Sequence, residues 1–328
     1  MTIRKDETAL FNSVLTDVEQ TNTRIITAYN NSQDRILEKI AKYRQDVAAG
    51  IIRGDAVEAR LIELYKQIDA EVARLITSTG GQIRMGYADV YGSTYYNEAY
   101  IIEKSVNFDI PGLTAGLELN YPVLDTNAVA ASFDTRVAGN TFVDRMADMR
   151  QDLRFGVRQA VAENIAEGLT VNDLRKRIQL IDDVYAKSKA RALTVARTEL
   201  LTAYSIGQET ATGEAVAAGV EFEYVWSSTL DGKVRPTHAK ADHQKAIIKS
   251  GLPSFSVGGV LFSSPRVLHP DNTSAKTAGE VINCRCRRLN IPFGITPTSR
   301  VGKLPSGEWK DLPYTTTSDD WYNHHYAE

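Results

Sequence analysis

EFEYVWSS, residues 221–228, is where the chain changes character. Aromatic and β-branched residues alternate here with polar ones, the two-residue period of a strand with one buried face. Downstream, DGK at 231–233 is a turn signal, FSVGGVLFS at 255–263 reads as a hairpin bent at its glycines, and EVINCRCRRLNI at 280–291 reads as a closing strand. Upstream the apolar residues recur at helical period. The expected fold class is therefore α+β: a mainly helical N-terminal body, a small α+β module and an irregular C-terminal tail.

The upstream pattern begins with Leu10, Val14, Val18, Ile25, Tyr29, Ile36, Ile40, Tyr43 and Val47, one stripe of a helix over about 8–48. Asp55 and Glu58 make a capping pattern for a second helix, whose face is Val57, Leu61, Leu64, Ile68, Val72 and Leu75, and Gly80-Gly81 is expected to end it. Tyr87, Tyr91 and Tyr95 then stand at four-residue spacing, with Tyr96 and Tyr100 on an adjacent line. A tyrosine ring buries apolar area while its hydroxyl keeps a polar partner, which suits a core or an interface. Leu10, Val14, Val18, Ile25, Tyr29, Tyr87, Tyr91 and Tyr95 are accordingly candidates for intramolecular packing or for docking on another protein.

Pro111, Gly112, Gly116 and Pro122 predict a connection or small extended elements over 105–135. Helix resumes near Thr141, with Phe142, Met146, Met149, Leu153 and Val157 on one face and a stop at Gly168. Thr170 and Asp173 open a short helix, and a longer one is expected over about 185–218. The expected organisation is a helical anchor region at 1–104, a connection at 105–139, the α+β module at 140–293 and an extended tail at 294–328. Pro, Ser and Thr in that tail predict a flexible or partner-ordered extension.

With 38 basic and 41 acidic residues the net charge is −3, which removes any global electrostatic case for nucleic-acid binding. MTIRKDETAL has no signal-peptide core, and no apolar run reaches the roughly eighteen residues of a membrane span, so synthesis in a cytoplasm is expected. Both cysteines, Cys284 and Cys286, are separated by one residue, a poor disulfide spacing in extended backbone.

On a strand those two sulfurs would share one face, with Arg285 and Arg287 on the other. Two thiols together with His238 and His243 could hold a soft cation such as zinc, with His269 or Asp271 as substitutes. The alternative is cysteines as small buried hydrophobes and histidines that bond to turns. Asp231, Arg235 and His238 could instead form a nuclease-like cluster, or a turn in which the Asp231 carboxylate holds nearby backbone amides and Arg235 bridges to it. Arg285, Arg287 and Arg288 could touch phosphate or simply solvate a strand face.

ARTEL (196–200), VWSSTLDGKVRPTHAKAD (225–242), LHPDN (268–272) and EVINCRCRRL (280–289) together resemble the phage Mu F-like head morphogenesis family. The likeness covers roughly 140–290 and places the family's marks on Arg197, Thr198, Glu199, Trp226, Asp231, Arg235, His238, Pro270, Asp271, Asn283, Cys284 and Cys286. Where the family has L-D-G after the histidine, this chain has KADHQ, so Asp242 matches and His243 replaces the glycine. The resemblance implies a minor capsid protein, present in few copies inside the phage head near the portal, that aids head assembly or genome delivery without catalysis. Implied partners are the portal protein and the major capsid or scaffold protein, with contact to packaged DNA and no membrane. A zinc-binding module is also implied. A nuclease acting on DNA near the portal and a DNA-binding ejection protein are the competing classes. Some relatives carry a toxin domain after this module, for which the tail is expected to be too short.

Overall fold

The structure, a computed structural model, describes residues 3–106, 119–134, 139–165, 171–249 and 251–326. Helices α1 (Ile3–Ala48), α2 (Ala56–Lys104), α3 (Thr126–Phe133), α4 (Phe142–Ile165) and α5 (Val171–Ala217) precede β1 (Phe222–Ser227). There follow α6 (Pro236–Lys240), β2 (Ile247–Lys249), β3 (Leu252–Val257), β4 (Val260–Ser264), β5 (Val267–Leu268), α7 (Ala278–Val281), β6 (Arg287–Pro292), β7 (Ser299–Lys303), β8 (Trp309–Pro313) and α8 (Ser318–His325). The fold is α+β, with every sheet antiparallel: β1 with β6, β2-β3-β4-β5 in order, and β7 with β8. Among the described residues, no helix is long and apolar enough to cross a membrane.

The chain forms two compact units. One gathers Met1–Val18, Gly86–Gly139 and Arg197–Glu328, the other Glu19–Met85 and Asn140–Ala196.

The second unit is helical. Its core pairs Tyr29 with Tyr185, rings edge-on at 6.3 Å, and each hydroxyl meets a serine: Tyr29 with Ser188 at 3.0 Å, Tyr185 with Ser32 at 3.1 Å. Burial pushes the Tyr29 hydroxyl up to about 12, against the bond to Ser188 and the charge of Arg191. Gly80-Gly81 does not end α2. Two mid-helix glycines cost about 1 kcal/mol each, which burial of Ile76, Ile83 and Val90 on the continuing stripe outweighs. Similarly, the short and long helices expected after Thr170 are one helix, α5, because Ile181, Tyr185 and Ala192 continue one buried face. Gly168 and Thr170 themselves lie outside the described residues.

In the first unit, α3 occupies part of the expected connection, capped by Asp125, whose Oδ1 accepts from Asn127 N at 2.8 Å. Its Phe133 packs edge-on against Tyr87 at 4.9 Å. The tyrosine line is internal: Tyr87 bonds Ser132 (3.0 Å), Tyr91 bonds Thr210 (2.8 Å), and Tyr95 donates to Pro122 O (2.9 Å). Leu10, Val14, Val18, Ile25 and Tyr29 are buried as well. All eight of these side chains, candidates for packing or for docking, are buried within the chain.

α5 and β6 also meet α2 through a buried carboxyl. Asn290 Nδ2 donates to Glu98 Oε1 at 2.7 Å and Gln208 Nε2 to Oε2 at 3.2 Å. Burial pushes the Glu98 carboxyl above its ordinary range, against these two bonds and the charges of Arg288 and Arg287. Gln208 Oε1 is buried without a partner. Turning that amide over would let a protonated Glu98 donate to it. A carboxyl raised on folding keeps its proton where the unfolded chain has lost it, so its contribution is complete below the unfolded pKa of about 4.3. It then declines as pH rises toward the folded pKa. Glu98→Gln, which carries the amide hydrogen at every pH, is expected to be more stable than wild type at neutral pH. The gap should close on acidification toward pH 4.3, and chemical denaturation across this range measures it; a pH-independent gap would contradict the assignment.

The tail is also corrected. β7, β8 and α8 are built onto the module rather than extended from it, because Asp242 gathers distant groups. Its carboxylate accepts Ser228 N (2.9 Å), Ser318 N (2.8 Å) and both terminal nitrogens of Arg300 (2.7 and 3.1 Å). Arg300 also donates to Ser228 O and Thr316 O. Thr317 caps α8 with Asp320 in a reciprocal box. Gly302 leaves room for Trp321, since a Cβ there would lie 2.8 Å from the indole.

Candidate metal centre

The site forms where α6, α7 and the segment entering β6 converge. Pro236 starts α6, its fixed φ suiting a first helical position, and His238 sits one turn in, buried at 2% exposure. The ring stands edge-on to Trp226 at 5.7 Å. Trp226, Phe255, Phe262, Val257, Val260 and Val281 form the apolar wall around both cysteines.

Cys284 and Cys286 are not on a strand: β6 starts at Arg287, after α7 and a turn through Asn283, whose φ is +58°. The sulfurs converge for another reason, which is that the loop's backbone is held from behind. Asn283 N donates to Thr198 Oγ1 (3.1 Å), Thr229 Oγ1 to Arg285 O (2.6 Å), and Arg266 Nη1 to Cys284 O (2.9 Å) and Cys286 O (2.8 Å). His238 Nδ1 lies 3.2 Å from Cys286 Sγ and 3.5 Å from Cys284 Sγ, and all three donor atoms fall within 4.8 Å of one another.

These donors fit a soft divalent cation. Zinc at about 2.3 Å from sulfur and 2.0–2.1 Å from nitrogen holds tetrahedral neighbours about 3.5 Å apart, close to the spacings present. Burial and the neighbouring Cys284 sulfur push the Cys286 thiol well above its usual range.

His243 is not part of this group. Its φ is +64°, and its ring lies 4.8 Å from Tyr314 with Nε2 2.7 Å from Arg300 Nη1. The four residues between His238 and His243 span the end of α6 and a turn, which takes the two rings to different partners. His269 and Asp271 are likewise outside the group; Asp271 N donates to His269 Nδ1 at 3.1 Å.

The nuclease cluster is not assembled either. Asp231 accepts Lys233 N at 2.8 Å, but its ion pair through both oxygens is with Arg285, not with the Arg235 expected to bridge to it. Arg235 donates to the carbonyls of Glu280 and Ile282. Nor does the basic run face a duplex: Arg288 is buried, bonded to Glu209 at 3.2 Å and to Asn290 at 2.8 Å, and Arg287 lies over the Phe11 ring at 5.5 Å.

Sequence reasoning missed Glu280, which bonds His238 Nε2 at 2.8 Å, and Arg266, 3.7 Å from Cys284 Sγ. Both bonds join segments far apart in the chain, and neither residue carries a local spacing signal.

Residues 156–289 match the family model described as Phage Mu protein F like protein. Among curated proteins, the chain is 24% identical over 289 residues to Minor head protein GP7 of Bacillus phage SPP1, covering 86% of this chain and 84% of that one. It is 22% identical over 305 residues to NAD(+)–arginine ADP-ribosyltransferase EFV of Enterococcus faecalis, covering 93% of this chain but 57% of that protein. The chain therefore spans little more than half the length of that relative. No solved structure matches. The matched family model and Minor head protein GP7 are both named for phage proteins. Residues 156–289 are similar to the Mu F-like family, and Arg197 to Cys286 of the motif lie inside the matched segment.

Proposed function

We propose that the chain is a minor head protein of a tailed phage, carried in few copies inside the capsid near the portal, where it aids head assembly or genome delivery. The observation that carries this reading is the likeness to Minor head protein GP7 over most of both chains. The helical body at 1–104 is the proposed anchor to portal, capsid or scaffold protein. Because the main stripe is covered, the contact would use exposed positions such as Ile26, Tyr96 and Tyr100.

His238, Cys284 and Cys286 are three proposed ligands of a Zn²⁺, which when bound would tie α6 to the loop before β6 as a cross-link. The motif residues Arg197, Thr198, Glu199, Trp226, Asp231, Arg235, Pro270, Asp271 and Asn283 are then scaffolding for that module. Thr198 holds the cysteine loop, Trp226 walls the site and Arg235 ties α6 to α7.

Cross-linking mass spectrometry on purified heads, with this chain counted against portal, tests the placement. A low fixed ratio with cross-links from residues 1–104 to portal is expected. Absence from heads would overturn the reading, and abundance equal to the major capsid protein would overturn the few-copy placement.

A further inference from the structure

We propose that Glu280 is a positioning residue for this centre: it accepts the Nε2 proton of His238 and thereby fixes the imidazole with a proton-free Nδ1 turned to the two sulfurs. A neutral imidazole carries its proton on one nitrogen only, and the partner of one nitrogen decides the role of the other. At His238 the partners are unlike. Nε2 faces a carboxylate oxygen at 2.8 Å, an acceptor, while Nδ1 faces Cys286 Sγ at 3.2 Å and Cys284 Sγ at 3.5 Å, thiols that can each donate a proton. The arrangement that satisfies both contacts places hydrogen on Nε2.

The carboxylate is itself held. Thr237 Oγ1 donates to the same Glu280 oxygen at 2.8 Å, and Arg235 donates to the Glu280 backbone carbonyl. The other oxygen, Oε1, lies against the β3–β4 turn, where Gly258 at φ +59° leaves it space: a Cβ there would stand 2.5 Å away. A glycine chosen for a left-handed turn thus also makes room for the carboxylate. Two segments distant from Glu280 in sequence, the start of α6 and the β3–β4 turn, thus surround a carboxylate that lies outside the group of three donor atoms, so it acts only through His238. A carboxylate behind a histidine ligand sets tautomer and ring orientation, and losing it weakens metal binding by about 10–100-fold.

The purpose of this device rests on the zinc reading, but its geometry does not, and the test separates them. In the full chain freed of metal by chelator, long-range ¹H–¹⁵N correlation on labelled histidine reads the tautomer of His238 directly. Wild type is expected as Nε2–H; finding Nδ1–H overturns the proposal with no variant needed. Glu280→Gln, whose amide oxygen can still accept, should keep the Nε2–H form and hold Zn²⁺ within a few-fold of wild type. Glu280→Leu should lose the fixed tautomer and bind Zn²⁺ about 10–100-fold more weakly in competition with a chelating dye. An unchanged tautomer in Glu280→Leu overturns the proposal whatever happens to zinc. If Glu280→Leu does not fold, wild type and Glu280→Gln decide: differing tautomers overturn the proposal, and Nε2–H in both supports it. Wild type that binds no Zn²⁺ yet shows the Glu280-dependent tautomer sinks the zinc reading alone.

Discussion

Replacing Asp242 by alanine is expected to cost about 3–5 kcal/mol and to expose residues 299–326 to protease. Asp242 and Arg300 are 2% and 3% exposed, so solvent does not screen the pair. Removing the carboxylate leaves a guanidinium buried without its counter-ion, and also orphans the amides of Ser228 and Ser318. The first amide sits at the end of β1, the second in the first turn of α8, so one substitution loosens the tail at its root. Replacing both partners, Asp242→Ala with Arg300→Met, should recover part of the loss because no charge is then stranded. Urea denaturation together with limited proteolysis reads both effects. A tail that stays protected in Asp242→Ala, with stability changed by less than about 1 kcal/mol, would show that β7, β8 and α8 hold to the module by other means.

Asp242 also marks where reading the sequence stops. Its match to the family's aspartate after the histidine was legible, and so were the helices, because a 3.6-residue stripe is a local signal. The hairpin at 255–263 was legible too, from Gly258 and Gly259. That Asp242 receives Arg300 was not, since a buried ion pair between residues 58 apart leaves no periodic trace, and a Pro/Ser/Thr-rich segment looks the same whether solvated or clamped. The centre divides in the same way. Cys284, Cys286 and His238 stood out by residue type, and they do converge, but the reason given for the convergence was a strand that begins only at Arg287. What turns the sulfurs together is Arg266, Thr198 and Thr229 holding backbone from behind. His243 had the right spacing on paper, yet a left-handed backbone turn sends its ring to Arg300. Spacing identifies groups able to meet; burial and backbone geometry decide which of them do.

Trp226→Ala is the second large effect, a loss of about 3–5 kcal/mol in the unit that carries the sheets. The indole is fully buried, with Phe255 and Phe262 at 5.6 and 5.7 Å and His238 edge-on at 5.7 Å. Its backbone position is secured independently, because Trp226 N donates to Gln244 O and Trp226 O accepts from His243 N, both at 2.8–2.9 Å. The alanine variant should therefore keep the β1–β6 pairing and lose the filling between the β3–β4 hairpin and the histidine. Trp226→Phe should cost much less, since the indole Nε1 bonds no protein atom and a benzene ring retains the edge contacts. Far-UV circular dichroism followed through urea denaturation measures stability without relying on the tryptophan that is removed. If the zinc reading is right, Trp226→Ala should also weaken Zn²⁺ binding, because the ring that confines His238 is gone while every ligand remains. Equal stability of the alanine and phenylalanine variants would mean that the wall behind His238 is supplied by Phe255 and Phe262 alone.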